Sequence, residues 1–260
     1  MNSLRPSRGR QSGQAMVEAA LSLPLVVFLV LGTLQLFLML QARVLAQYAA
    51  FRATRAGSVA HGECERMTHA AILSLLPSFH SFIGMRTPQV GGEHGGGVGA
   101  PERLAMAFAP RRDNRYLPGL DGVHSGSIVW INRSLAGGGV ESPQDRGFDD
   151  PGHLRRLEVR LIYWYPMRIP FANWVMSRMF LAQLGIQDYT AANPLLLAER
   201  QANWGAGEFS NPYALAADVR NELAARVGRR EYVFPIETSF TMRMMTPVKA
   251  RHFASMDCPR

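Results

Sequence analysis

The chain has 260 residues, with 28 Lys and Arg against 20 Asp and Glu, for a formal net charge of +8. Such a balance can serve nucleic acid or anionic lipid. The arginines are scattered, however, and no basic cluster is interleaved with aromatic residues, so no nucleic-acid platform is expected and the charge reads as a solvated basic surface.

Residues 1–13 form a basic leader carrying Arg5, Arg8 and Arg10 and no acid. The stretch Gly13-Gln14-Ala15-Met16-Val17-Glu18 spans the end of this leader and the start of the next segment. From Ala19 to Leu40 no residue is charged, and only Gln35 is strongly polar. A helix crosses the hydrocarbon core in about 20 mostly apolar residues at about 1.5 Å each, so the run is long enough. A discarded export signal would have an apolar core of roughly 7–15 residues followed by a small-residue cleavage motif. That motif is missing here and helical sequence continues, so the segment reads as a retained single-span anchor. Pro24 and Gly32 lie inside it; membrane helices tolerate both, and Pro24 either permits a kink or is incidental.

Glu18 is the anomaly. A carboxylate well inside a membrane costs a few kcal/mol, about 2.5–3.5 for Asp on insertion scales, and usually has a partner. At headgroup level it would instead stay solvated and favour the helix N-terminus through the backbone dipole. The residue alone leaves both readings open. Arg43, Arg52 and Arg55 follow the span just as three arginines precede it, so flanking charge does not fix the orientation.

From Gln41 to Gly57 helical character persists without proline. Ala42, Ala46, Ala49, Ala53 and Ala56 recur at three- and four-residue spacing and line one face, with Val44, Tyr48 and Phe51 opposite. Arg43, Gln47 and Thr54 lie on a flank between them. Small residues let helix backbones approach closely, which suits the alanine face to a neighbouring subunit and the aromatic face to the chain's own domain. The alternative is that alanine is simply the best helix former.

Residues 61–260 suffice for one domain with a real core. Residues 91–99 and 135–151 are loops by composition. Leu157, Val159, Leu161, Tyr163 and Tyr165 alternate with Glu158 and Arg160, predicting a strand. Ile236, Phe240, Met242 and Met244 alternate with Glu237, Ser239, Thr241 and Arg243 in the same way, and residues 127–132 form a shorter candidate. This alternation predicts an antiparallel sheet with one wet face. Asn193-Pro194 and Asn211-Pro212 are helix starts; the second opens a helix through Leu215, Val219, Leu223 and Val227, closed by Gly228. Residues 171–184 form another, whose Trp174, Met176, Met179 and Phe180 suit core packing, a membrane surface or a partner. The fold class is α+β: a long protruding N-terminal helix, then a small antiparallel sheet flanked by helices.

Catalytic signatures are missing. His61-Gly62-Glu63-Cys64 places one His and one Cys at metal-ligand spacing, but no second ligand pair follows, and His69, His80 and His94 are scattered. The glycine-rich loop lacks the Gly-Lys-Ser/Thr of a P-loop, and neither a G-x-S-x-G elbow nor an H-E-x-x-H motif occurs. No catalytic residue, metal site or cofactor is expected.

The Gly13 to Glu18 pattern followed by an unbroken apolar helix resembles the processing signal of type IV pilins. More closely, RGRQSGQAMVEAALSLPLVVFLVLGTLQLFLMLQARVLAQYAAFRATRAG resembles TadE-like proteins, pseudopilins of the tight-adherence (Tad, or Flp) type IVb pilus. VRLIYWYPMRIPFANWVMSRMF at 159–180 and TSFTMRMMTPV at 238–248 fit the same family. The resemblance implies a membrane-anchored, non-enzymatic component of pilus assembly, inserted in the bacterial inner membrane with the leader inside and the bulk of the chain in the periplasm. It implies a prepilin peptidase cutting after Gly13 to leave Gln14 as the new N-terminus. Glu18, then fifth in the chain, would pair with the amine of a neighbouring subunit. The implied partners are other Tad pilins and the inner-membrane assembly platform. Ala19 departs from the pattern, which places an aromatic residue after the acid. The alternatives are a type II secretion pseudopilin and a single-span anchored periplasmic enzyme or metal-binding protein. In a periplasmic setting Cys64 and Cys258 permit one disulfide, which would tie the tail to the end of the long helix; two free thiols are the alternative.

Overall fold

The computed structural model describes residues 12–80, 100–116, 124–136, 155–183 and 216–259. The leader arginines, the 91–99 loop, the loop from 137 to 151, and the Asn193-Pro194 and Asn211-Pro212 helix starts lie outside the described residues.

One helix, α1 (Ser12–Val59), carries the apolar run and the alanine stripe without a break, with Pro24 accommodated inside it. Its 48 residues extend about 72 Å at 1.5 Å each, far more than a bilayer core requires. A turn at His61 and Gly62, both with positive φ, reverses the chain into α2 (Cys64–Phe79). Met67, Ala71, Ile72, Leu75, Leu76 and Phe79 recur three and four apart, so α2 buries one face, and it packs along α1. The approach is closest at Gly57, where a Cβ would stand 2.6 Å from Met67 Sδ and 2.8 Å from Leu157 Cδ2. A larger residue at that point would require the Met67 and Leu157 side chains to move aside.

Helix α3 (Ala100–Phe108) leads through a short 3-10 turn to Asn114. The Asn114 amide donates to Val129 O (2.7 Å), and its Oδ1 accepts Val129 N–H (3.0 Å), setting the start of β1 (Val129–Ala136). With β2 (Arg156–Pro166) and β3 (Val233–Arg243) it forms an antiparallel sheet of order β1-β2-β3. Val129 lies opposite Tyr163, Leu157 opposite Met242, and Trp164 opposite Pro235. Pro235 is tolerated because β3 is an edge strand. The first strand is displaced from its expected place at 127–132: Leu135 and Ala136, expected in a loop, pair with Leu157 and Arg156 and extend β1.

Two further helices, α4 (Ala172–Gln183) and α5 (Ala217–Gly228), complete the described α+β fold. Leu157, Val159, Leu161, Tyr163 and Tyr165 face α1 and α2 in the main core. On the opposite face Ile162 and Trp164 join Trp130, Leu181, Val219, Leu223 and Val233 in a second cluster. The expected wet face is therefore confined to the first half of β2, where Arg156 and Glu158 are exposed. Beyond Leu161 both faces are covered, because α4 and α5 close over the sheet. Arg226 belongs to this layer: its guanidinium stacks 4.5 Å over the Trp164 ring and donates to Glu222 (2.8 Å) and Ser127 O (2.9 Å).

The C-terminal tail runs along the outer edge of β1, with Cys258 N donating to Ile131 O and Arg133 N to Met256 O, each at 2.9 Å. Arg133, 2% exposed, donates to the carbonyls of Gly62, His252 (2.7 Å) and Ser255 (2.6 Å) and lies 4.7 Å from the Phe253 ring. Burial lowers its guanidinium pKa, and Asp257 opposes that shift. Arg133→Met keeps the volume but leaves three carbonyls without their donor, each worth about 1–3 kcal/mol when unsatisfied. The expected loss is about 3 kcal/mol after relaxation. Thermal denaturation should show it, and hydrogen exchange should quicken first at the amide of Cys258.

Candidate functional site: the N-terminal helix and its junction with the domain

Helix α1 passes through three environments. Gly13 and Gln14 lie in its first turn, where the backbone N–H groups have no acceptor within the helix. The bond between them therefore sits at the end that frays most readily. From Met16 to Val27 every side chain is exposed, Glu18 included. The hydroxyl of Ser22 donates back to Ala19 O (3.5 Å), and that of Thr33, further along, to Val30 O (2.8 Å). Their polarity is thereby met within the helix, as a hydrocarbon environment demands. Residues Met16–Val59 form a helix long and apolar enough to cross a membrane.

From Phe28 the domain covers one side. The Phe28 ring meets Phe171 edge-on with centroids 5.8 Å apart. Gln35 is fully buried, and its Oε1 accepts the Ile169 N–H at 3.0 Å. Burial raises the Tyr165 phenol pKa, a shift that hydrogen bonding to Gln35 partly offsets. The one strongly polar residue of the apolar run is thus turned toward protein. Its orientation was not apparent from sequence, although a lone amide in an apolar run marks the side that cannot face lipid. Leu29, Val30, Leu34, Leu36, Phe37 and Leu40 remain exposed on the other sides.

In the third zone Ala42, Ala46, Ala49 and Ala53 are each 0% exposed and lie in the main core with Ala50. Thr238 Oγ1 donates to Ala46 O across this contact (3.3 Å), and Thr54 Oγ1 donates back to Ala50 O (2.7 Å). Val44 and Tyr48 are 64% and 49% exposed, while Phe51 is half-buried with its ring 5.2 Å from that of Phe240. This reverses the expected division of faces. The chain's own domain takes the alanine side, Val44 and Tyr48 point outward, and of the larger residues Phe51 alone packs on the domain, against Phe240. The physical reason is distance, since methyl side chains let α2 and the sheet lie close against the helix axis. Leucines there would hold them off.

The far end of this zone is closed covalently. Cys64 and Cys258 form a disulfide with Cα atoms 5.4 Å apart across a sequence separation of 194. Cys64 is therefore not available as a metal ligand, and His61 Nδ1 lies 2.7 Å from Pro247 O. No three His, Cys, Asp or Glu side chains converge on a metal-sized site among the described residues.

The family model described as TadE-like protein matches residues 13–55. The match begins at the glycine before the apolar run and ends within the core-facing part of α1, so all three zones are TadE-like in sequence. No curated protein and no solved structure matches the chain.

Two outcomes test the junction. Ala46→Leu should overpack the core by about 2 kcal/mol, lowering Tm by roughly 6 °C, whereas Val44→Ala should stay within about 0.5 kcal/mol of the parent. Calorimetry of both in detergent would decide which face the domain uses. Replacing Cys64 and Cys258 together with Ser should remove up to about 5 kcal/mol in the chain-entropy model. The accompanying fall in Tm should disappear when both proteins are measured under reducing conditions.

Proposed function

We propose that this chain is a non-enzymatic, TadE-like minor pilin or pseudopilin of a Tad-type pilus, anchored in the inner membrane through α1 with the rest in the periplasm. One observation carries the reading. A single TadE-like helix carries Gly13 in its first turn, is exposed from Met16 to Val27 with Glu18 as its one charged residue there, and is built into a folded domain from Gln35 onward. An anchored enzyme needs only a tether; here the helix is also a structural element of the domain it carries.

In this reading a prepilin peptidase removes the leader after Gly13, and with it Arg5, Arg8 and Arg10. The new amine on Gln14 and the Glu18 carboxylate are four residues apart, hence on one face and about 6 Å apart along the axis. Neighbouring helices offset by roughly one turn would set the Glu18 of one against the Gln14 amine of the next, joining opposite charges in a medium that solvates neither. Because the alanine face is occupied internally, lateral contacts beyond the membrane fall to the outward-facing Val44 and Tyr48. The TadE-like match favours the Tad system over a type II secretion pseudopilin.

Intact-mass measurement of the protein from its native membrane should find Gln14 at the N-terminus, and Gly13→Ala should leave the leader attached. Glu18→Ala should preserve the membrane-fraction level while cutting surface fibres, counted by electron microscopy, at least tenfold. Normal fibre counts in that variant would refute the pairing, and an uncut leader beside an active peptidase would refute the processing.

A further inference from the structure

Helix α4 presents a stripe that the domain covers only in part. Phe171, Trp174, Val175, Arg178 and Met179 recur at three- and four-residue spacing and so share one side. Phe171 is 50% exposed, Trp174 48% and Met179 63%, whereas Ala172, Ser177 and Leu181 are buried against the domain. We infer that this stripe is seated in the leaflet on the domain's side of the membrane that α1 spans, as a second, interfacial anchor. The inference rests on the spanning role of α1.

The part of α1 exposed on every side, Met16 to Val27, is about 12 residues or 18 Å long, against a hydrocarbon core of about 30 Å. To complete the crossing, the helix must remain in hydrocarbon to about Gln35. Phe28, seven residues earlier, then lies about 10 Å beneath the boundary. Phe171 touches Phe28, so the start of α4 is carried below the surface with it. The course of the strands agrees. Thr238 contacts α1 at Ala46 and Phe240 contacts it at Phe51, so β3 runs away from the membrane. Antiparallel β2 therefore runs toward it and delivers Pro166 and the turn into α4 at the membrane-facing end.

Side-chain chemistry fits the same depth. Tryptophan favours the membrane–water boundary, and apolar neighbours fill the layer below it. Arg168 is exposed just before the helix, and Arg178, half-buried within the stripe, can extend its guanidinium to lipid phosphates. Phe171 has φ 69°, a left-handed backbone where glycine is the usual occupant. An aromatic residue is held there with its ring against the spanning helix.

The test uses the full chain in vesicles of phosphatidylethanolamine and phosphatidylglycerol. Nitroxide labels are placed through Trp174→Cys, Met179→Cys, Leu23→Cys and Ser239→Cys, with Cys64 and Cys258 left bridged. Collision with oxygen and with a water-soluble nickel chelate is then measured at each position. Labels at 174 and 179 should be rich in oxygen and meet nickel at least fivefold less often than the exposed Ser239 position. Nickel access at 174 equal to that at 239, with position 23 still protected, would overturn the second anchor and leave the span intact. Nickel access at position 23 would overturn the span, and this inference with it. Exclusion of both reagents at 174, or spin–spin broadening relieved by unlabelled protein, would replace lipid with a neighbouring subunit and likewise overturn it.

Discussion

Seating the sheet and α2 on the alanine face of α1 is the contact from which the remaining architecture follows. A continuous helix of 48 residues must satisfy two solvents in sequence, lipid and protein core, without breaking its backbone hydrogen bonds. Side chains alone can mark the change. Leucine, valine and phenylalanine clothe the first part on all sides; from Ala42 to Ala53 one side shrinks to methyl groups, and the domain moves in to axial distance. Gly57 carries the trend to its limit, where even a methyl would strike Met67. Once the sheet is fixed there, its register against α1 sets the height of each strand end. That is how the turn after β2 arrives beside Phe28.

The opposite end of the molecule is governed by satisfaction of polar groups rather than by close packing. The reversal after α1 and the C-terminal tail both present carbonyls to the interior, and Arg133 reaches from β1 to both. The disulfide then joins the first residue of α2 to the same tail. Oxygen-rich loops would otherwise need water there, so a single buried cation and one covalent bond replace a solvent-filled gap. The edge of β1 is covered in the same act, which removes one template for unwanted strand pairing.

Periodicity made most of the frame legible in the sequence: the span, the alternation of β2 and β3, and the helices around 172–183 and 217–228. It was less informative wherever a pattern identifies a face but not its occupant. The alanine stripe was evident, yet a run of methyl groups serves a neighbouring helix and an internal sheet equally well, and the assignment came out reversed. Helix α2 is not among the elements expected from sequence, although Met67, Ala71, Ile72, Leu75, Leu76 and Phe79 form a regular stripe; Pro77 in its last turn weakens the helical signal. The wet face expected for β2 failed past Leu161 because Ile162 and Trp164 belong to an apolar run that only a two-sided core explains. Gln35 was visible as a polar exception, but only the fold shows it turned toward Ile169.

These placements bear on where a TadE-like helix can meet its neighbours. Close helix–helix contact needs an approach unobstructed by bulky structure, and beyond Gln35 the alanine side is filled by the helix's own domain. Between Phe28 and Gln35 another flank is taken by Phe171 and the start of α4. Among the described side chains of α1, only those from Met16 to Val27 are open from every direction, and Glu18 lies within that stretch. A charge there can be met from any side by an incoming subunit, whereas the same charge at position 35 would be closed off by protein. The chain accordingly separates its two polar exceptions. The carbonyl oxygen of Gln35 accepts a hydrogen bond from Ile169 within the subunit and helps to fix the domain on the helix, while the carboxylate of Glu18 lies on the exposed part of the helix, within reach of an incoming subunit.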